Sequence, residues 1–233
     1  MAGRSSADAL RGLSRKEKIA GWIYLPFYLF VFRFGLPFLP KLGISLSGFE
    51  TNCVFYAVNL IAVLLIFHRF LRQSFFGDGF WDFLQAFVLG AVFYFALSWL
   101  LQFALSLLKF RAEAYNDASV WAMFSENRII MMLISFAAAP LIEETLFRGF
   151  VFSTLRHTSR VLAYILSAAL FAFVHVWSYY PAHELGELIV SGVLYLPVSV
   201  CLAWTYEKSG TIWAPILLHA ALNCATYFGF SLF

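Results

Sequence analysis

The chain has 233 residues, 62% of them hydrophobic and only 12% charged, where an ordinary soluble domain carries about 25% charged residues. That balance excludes a soluble globular protein, and an aromatic share of 20% with 28 Phe excludes a disordered one. The net charge of +3 is spread over loops without a basic stripe, so nucleic acid is not an expected partner.

A basic amino terminus over residues 1–18 holds Arg4, Arg11, Arg15, Lys16 and Lys18. The apolar run behind it, 19–32, extends past Arg33 toward Pro40 and has no small-residue cleavage site, so it reads as a retained first helix. Further runs free of charge cover 51–67, 83–108, 129–142, 161–174, 188–206 and 209–233. At about 20 residues per crossing, these segments predict an all-α, polytopic transmembrane helical bundle of about seven spans, one domain over 19–233. Trp22, Tyr24, Trp81, Trp121, Trp177, Tyr179, Tyr180, Trp204, Tyr206 and Trp213 gather at the run ends, where amphipathic rings prefer the membrane interface.

Counting Lys and Arg on alternate sides places eleven (Arg4, Arg11, Arg15, Lys16, Lys18, Arg69, Arg72, Arg148, Arg156, Arg160, Lys208) with the amino terminus. The other side holds five: Arg33, Lys41, Lys109, Arg111 and Arg128. The expected product is a multi-pass integral membrane protein with a cytoplasmic amino terminus and its carboxyl terminus across the membrane. The polar connection 109–128 reads as an exposed loop or short surface helix without a site. Cys53, Cys201 and Cys224 lie in apolar runs with no CxxC spacing and read as buried small hydrophobes.

Ionisable groups within apolar spans are costly and therefore informative. Here they are Glu143, Glu144, Arg148, His175 and His219, joined by the amide of Asn223, all on the later spans. Glu144 and Arg148 are four apart and share a helix face, whereas Glu143 points about 100° away. One carboxylate is thus paired while the other is free to face a cavity as a general base; the bland alternative makes both glutamates capping or bundle-locking charges. His175 alone reads as a core hydrogen-bonding residue. His219 and Asn223, again four apart, stack two donors on one face, or serve as interhelical glue.

Other chemistries lack their residues. Asp8, Asp78, Asp82 and Asp117 are peripheral, so no paired-aspartate protease can be built, and no GxSxG occurs. His183-Glu184-Leu-Gly-Glu187 starts like a helical zinc-protease motif but ends in Glu.

Taken together, Glu143, Glu144 and Arg148 as EExxxR, Phe171 and His175 as FxxxH, and His219 and Asn223 as HxxxN resemble the CPBP family of intramembrane proteases, the CAAX-processing and bacteriocin-processing group also called Abi. The resemblance covers about 127–230. It implies a membrane endopeptidase of glutamic type, cleaving a peptide bond near the membrane in a protein or peptide with a hydrophobic or lipidated carboxyl-terminal region, in CAAX-type or leader and sorting-signal processing. In that reading Glu143 and His175 activate water, His219 and Asn223 stabilise the oxyanion, and Glu144, Arg148 and Phe171 support them. No cofactor is expected; zinc held by Glu143, His175 and His219 is the less favoured alternative, Asn223 being a poor zinc ligand and a good oxyanion donor. Membrane lipid is the other expected partner. The competing reading from a different class is a catalytically silent adaptor that binds a partner's transmembrane helix. Counting 1.5 Å per residue puts His175 about 20 Å and His219 about 12 Å from the cytoplasmic ends, so a shared site calls for helix tilt or for a fourth span that leaves the membrane near Arg148.

Overall fold

The computed structural model describes residues 12–31, 35–75 and 79–229. Arg4, Asp8, Arg11, Arg33, Asp78 and the last four residues of the expected seventh span lie outside them. Among the described residues there are helices and no strands, as the apolar runs predict. We number the helices α1 (Arg15–Pro26), α2 (Gly48–Ser74), α3 (Phe80–Leu107), α4 (Tyr115–Glu126), α5 (128–156), α6 (Arg160–Val176), α7 (Leu185–Val193), α8 (Leu196–Ser209) and α9 (Trp213–Tyr227).

Local chemistry sets the helix starts. Ser14 with Glu17 and Ser47 with Glu50 form reciprocal capping boxes at α1 and α2, which satisfy donors the first turn leaves free. Asn127 and Ser159 cap α5 and α6 through the amides of Ile130 and Leu162. Gly210 ends α8 in the left-handed region, at φ 68°, a conformation that glycine adopts without strain.

Four helices, α2, α3, α5 and α6, the last continued through Tyr179, are long and apolar enough to cross a membrane. The α7 and α8 pair, bent by 41°, makes a fifth if counted as one span. The chain is therefore an integral membrane helical bundle. Of the seven runs expected from sequence, the first is a 12-residue helix continued by a π-helical turn, Phe27–Val31, and the last a 15-residue helix. The run 188–206 is broken between Val193 and Leu196, and Pro197 stands in the first turn of α8, a position proline favours because its missing N–H is not needed there.

The fourth span differs most from expectation. It does not end at 142 or leave the bundle near Arg148, but runs on to Arg156 with Phe150 and Phe152 fully buried. Glu144 and Arg148 pair within the bundle, so they do not terminate the helix. Two stretches of α5, Ile134–Ala138 and Thr145–Phe152, are π-helical. Pro140 has no N–H for the carbonyl four residues back, and Ala139 bonds instead to Ile134 O. Such π segments widen the helix and re-aim side chains, here on either side of Glu143 and Glu144.

An aromatic layer fills one half of the bundle: Phe67 and Phe70 from α2, Phe147, Phe150 and Phe152 from α5, and Tyr206 from α8, each at most 1% exposed. Gly149 lets α5 approach α2 there, since a Cβ would meet the Phe70 ring at 2.6 Å. At that end Glu207 joins three helices, accepting from Arg156 Nε (2.6 Å), Arg160 Nη2 (2.8 Å) and Tyr164 Oη (2.8 Å). Thr211 Oγ1 and Trp213 Nε1 donate to Ser74 O and Leu71 O and tie the α8–α9 turn to the end of α2.

Candidate active site

The other half of the bundle holds a cavity of about 560 Å³ lined by α2, α4, α5, α6, α8 and α9. Glu143, Phe171, His175, His219 and Asn223 all reach it, although they are as far as 80 residues apart in sequence.

Arg148 organises its floor. It is fully buried, with Nη1 donating to Glu144 Oε1 at 2.8 Å and Nη2 donating to both the carbonyl and the hydroxyl of Ser199, each at 2.8 Å. Its guanidinium lies 4.5 Å from the centre of the Phe171 ring. The four-residue spacing thus works as read from sequence: one glutamate is paired along the helix and its neighbour is turned away. Removing one partner of such a buried ion pair would leave an uncompensated charge.

Glu144 Oε1 also receives His219, whose Nδ1 lies 2.8 Å away. A carboxylate can only accept, so Nδ1 carries the proton and Nε2 is left for the cavity. This link across 75 residues was not legible in the sequence, where His219 was grouped with Asn223 alone. Asn223 donates one N–H to Ser135 O at 2.8 Å, inside the first π segment of α5, and keeps a second N–H.

His175 is fixed in the same way: its Nδ1 lies 2.7 Å from Phe171 O, an acceptor, which leaves Nε2 with a lone pair. That nitrogen faces Glu143 Oε2 at 3.9 Å, too long for a direct hydrogen bond. Oε2 is buried and has no hydrogen-bond partner among the described residues. Two acceptors therefore converge on one point beside the cavity, a geometry that suits the two protons of a single bridging water.

Helix α2 contributes Tyr56, which lines the cavity together with Glu143, and Tyr28 packs edge-on against Phe147 at 6.1 Å on the cavity wall. Sequence reading missed both, since an aromatic residue in an apolar run carries no signal to set it apart from core. Contrary to the expectation that the 109–128 connection carries no site, α4 lines the cavity through Asn116, Asp117, Ser119 and Phe124. Tyr195 Oη donates to Asp117 Oδ1 at 3.1 Å, and burial holds the Asp117 carboxyl above the ordinary range against that bond.

Among the described residues no group of three or more His, Cys, Asp or Glu is arranged to hold a metal ion. His183 lies 3.7 Å from Glu187 at the surface and stacks on Tyr115.

Comparison with known proteins points the same way as the motifs. Residues 125–225 match the family described as type II CAAX prenyl endopeptidase Rce1-like. The chain is 28% identical over 95 residues to the Bacillus subtilis protein named "Putative membrane peptidase YdiL" and 30% identical over 87 residues to "UPF0177 protein YxdF" of Lactococcus lactis. These alignments cover 40% and 36% of the chain, and only 34% and 41% of the relatives' own lengths. No solved structure matches. The segment 125–225, which carries every polar residue grouped above except Tyr28, Tyr56 and those of α4, is the part of the chain that is similar to the Rce1-like family.

Proposed function

We propose that the protein is a glutamic-type intramembrane endopeptidase that hydrolyses a peptide bond in a hydrophobic or lipid-modified substrate. The observation that carries this reading is the convergence of Glu143 Oε2 and His175 Nε2, 3.9 Å apart and both bordering the cavity. A water donating to both presents its lone pairs to a peptide carbonyl. As its oxygen bonds to the carbonyl carbon, one proton passes to Glu143, and the carbonyl π electrons move onto the oxygen. His219, held by Glu144 through Nδ1, and the second N–H of Asn223 stabilise that oxyanion. Collapse of the intermediate expels the amine, which takes the proton from Glu143. Glu144 and Arg148 orient the site, and Phe171 packs between Arg148, His175 and His219, with centre distances of 4.5, 4.4 and 5.8 Å.

No metal takes part in this scheme. The purified protein is expected to keep its activity in chelator, and zinc bound stoichiometrically and lost together with activity would overturn that point. The test of the reading compares new peptide termini by mass spectrometry in cells expressing wild type and Glu143→Gln at matched levels. Termini formed only with wild type support it; identical termini with both proteins folded refute it.

A further inference from the structure

The cavity and the basic residues occupy opposite ends of the bundle. At one end lie Arg15, Lys16 and Lys18 at the start of α1, Arg69 and Arg72 at the end of α2, Arg156 and Arg160 at the α5–α6 turn, and Lys208 at the end of α8. Contacts bind them into one face: Glu17 accepts from the Phe70 amide, Glu207 from Arg156 and Arg160, and the α8–α9 turn donates to the last turn of α2. The opposite end, where α2 and α5 begin and α9 finishes, has Lys41, Lys109, Arg111 and Arg128. Arg128 lies over the Tyr227 ring at 5.1 Å there.

The cavity extends to that second end. Its walls run from Glu143 and His219 outward to Gly48 and Thr51 at the start of α2, to Trp177 and Tyr179 after α6, and to Tyr227 at the end of α9. Toward the basic end the path is closed by Arg148 and the aromatic layer of Phe67, Phe70, Phe147, Phe150 and Phe152. Lys and Arg near span ends mark the cytoplasmic side.

We infer that the mouth of the site opens on the extracytoplasmic face, and that the substrate is a peptide segment presented there, in or emerging from the outer half of the membrane, instead of a carboxyl-terminal tail held at the cytoplasmic leaflet. The second clause rests on the endopeptidase reading; the first does not. Gly48 at the rim has open space around its Cβ position, and Lys208 is exposed at the basic end, so each accepts a reporter thiol. In a chain with Cys53, Cys201 and Cys224 replaced by Ala, Gly48→Cys is expected to react with a membrane-impermeant maleimide in intact cells, and Lys208→Cys only after permeabilisation. The reverse pattern would overturn the orientation, as would labelling of both or of neither in intact cells with both reactive once permeabilised. The second arm compares Gly48→Cys protein before and after modification with a bulky impermeant maleimide. Loss of peptide hydrolysis on modification supports entry through this mouth, and undiminished hydrolysis refutes it. If the unmodified protein cleaves nothing while wild type also cleaves nothing, the endopeptidase reading fails and takes the substrate clause with it, while the labelling result stands on its own.

Discussion

Glu143 and Glu207 are each 5% exposed, yet the two ends of the bundle treat them in opposite ways. Glu207 is saturated by two arginines and a tyrosine, and its partners Arg156 and Arg160 are themselves 28% and 56% exposed. Glu143 sits beside a cavity with one oxygen unpartnered and a histidine nitrogen 3.9 Å away. Burial alone therefore does not identify a functional carboxylate. What separates the two is that Glu143 keeps an unpartnered oxygen beside the cavity, whereas both oxygens of Glu207 are bonded.

The comparison can be broken by substitution, starting where the effect is expected to be largest. Glu143→Gln keeps the shape and removes the proposed base, and hydrolysis is expected to fall by about 10² to 10⁴-fold, checked by single-turnover assays on protein shown by thermal unfolding to be folded. Arg148→Met leaves Glu144 buried with His219 as its remaining partner, and about 3–5 kcal/mol of stability is expected to be lost, read from denaturant unfolding in detergent. Asn223→Ala removes one proposed oxyanion donor, for which about 10² to 10³-fold in kcat is expected with KM little altered. Gly149→Ala pushes a methyl into the Phe70 ring and is expected to cost about 1–3 kcal/mol, with activity per folded molecule unchanged. Glu207→Gln, at the saturated end, is expected to cost about 1 kcal/mol or less because its arginines can turn to water, again with activity retained.

Spacing made part of this legible from the amino-acid sequence. The four-residue intervals of Glu144 to Arg148, Phe171 to His175 and His219 to Asn223 fix which side chains share a helix face, and the first two appear in the structure as contacts at 2.8 and 2.7 Å. The apolar runs likewise gave the helical membrane class. Segment ends were less accessible, because charge was used to end a span and α5 buries Glu144 and Arg148: with Arg148 paired to Glu144 and Ser199, the helix has no reason to stop at 142. The break at 193–196 lies within an apolar run whose composition does not change there. Contacts between distant helices were beyond reach as well. Nothing in the sequence ties His219 to Glu144, or Tyr56 and α4 to the cavity wall, since these depend on which helices become neighbours and not on period.

The most direct test places the two glutamates side by side: purified Glu143→Gln and Glu207→Gln, matched for folded fraction, assayed on the same hydrophobic peptide substrate. The account expects hydrolysis to disappear in the first and to persist in the second. Retention of activity by Glu143→Gln, or equal loss in both, would contradict the claim that the carboxylate with the unpartnered oxygen is the base.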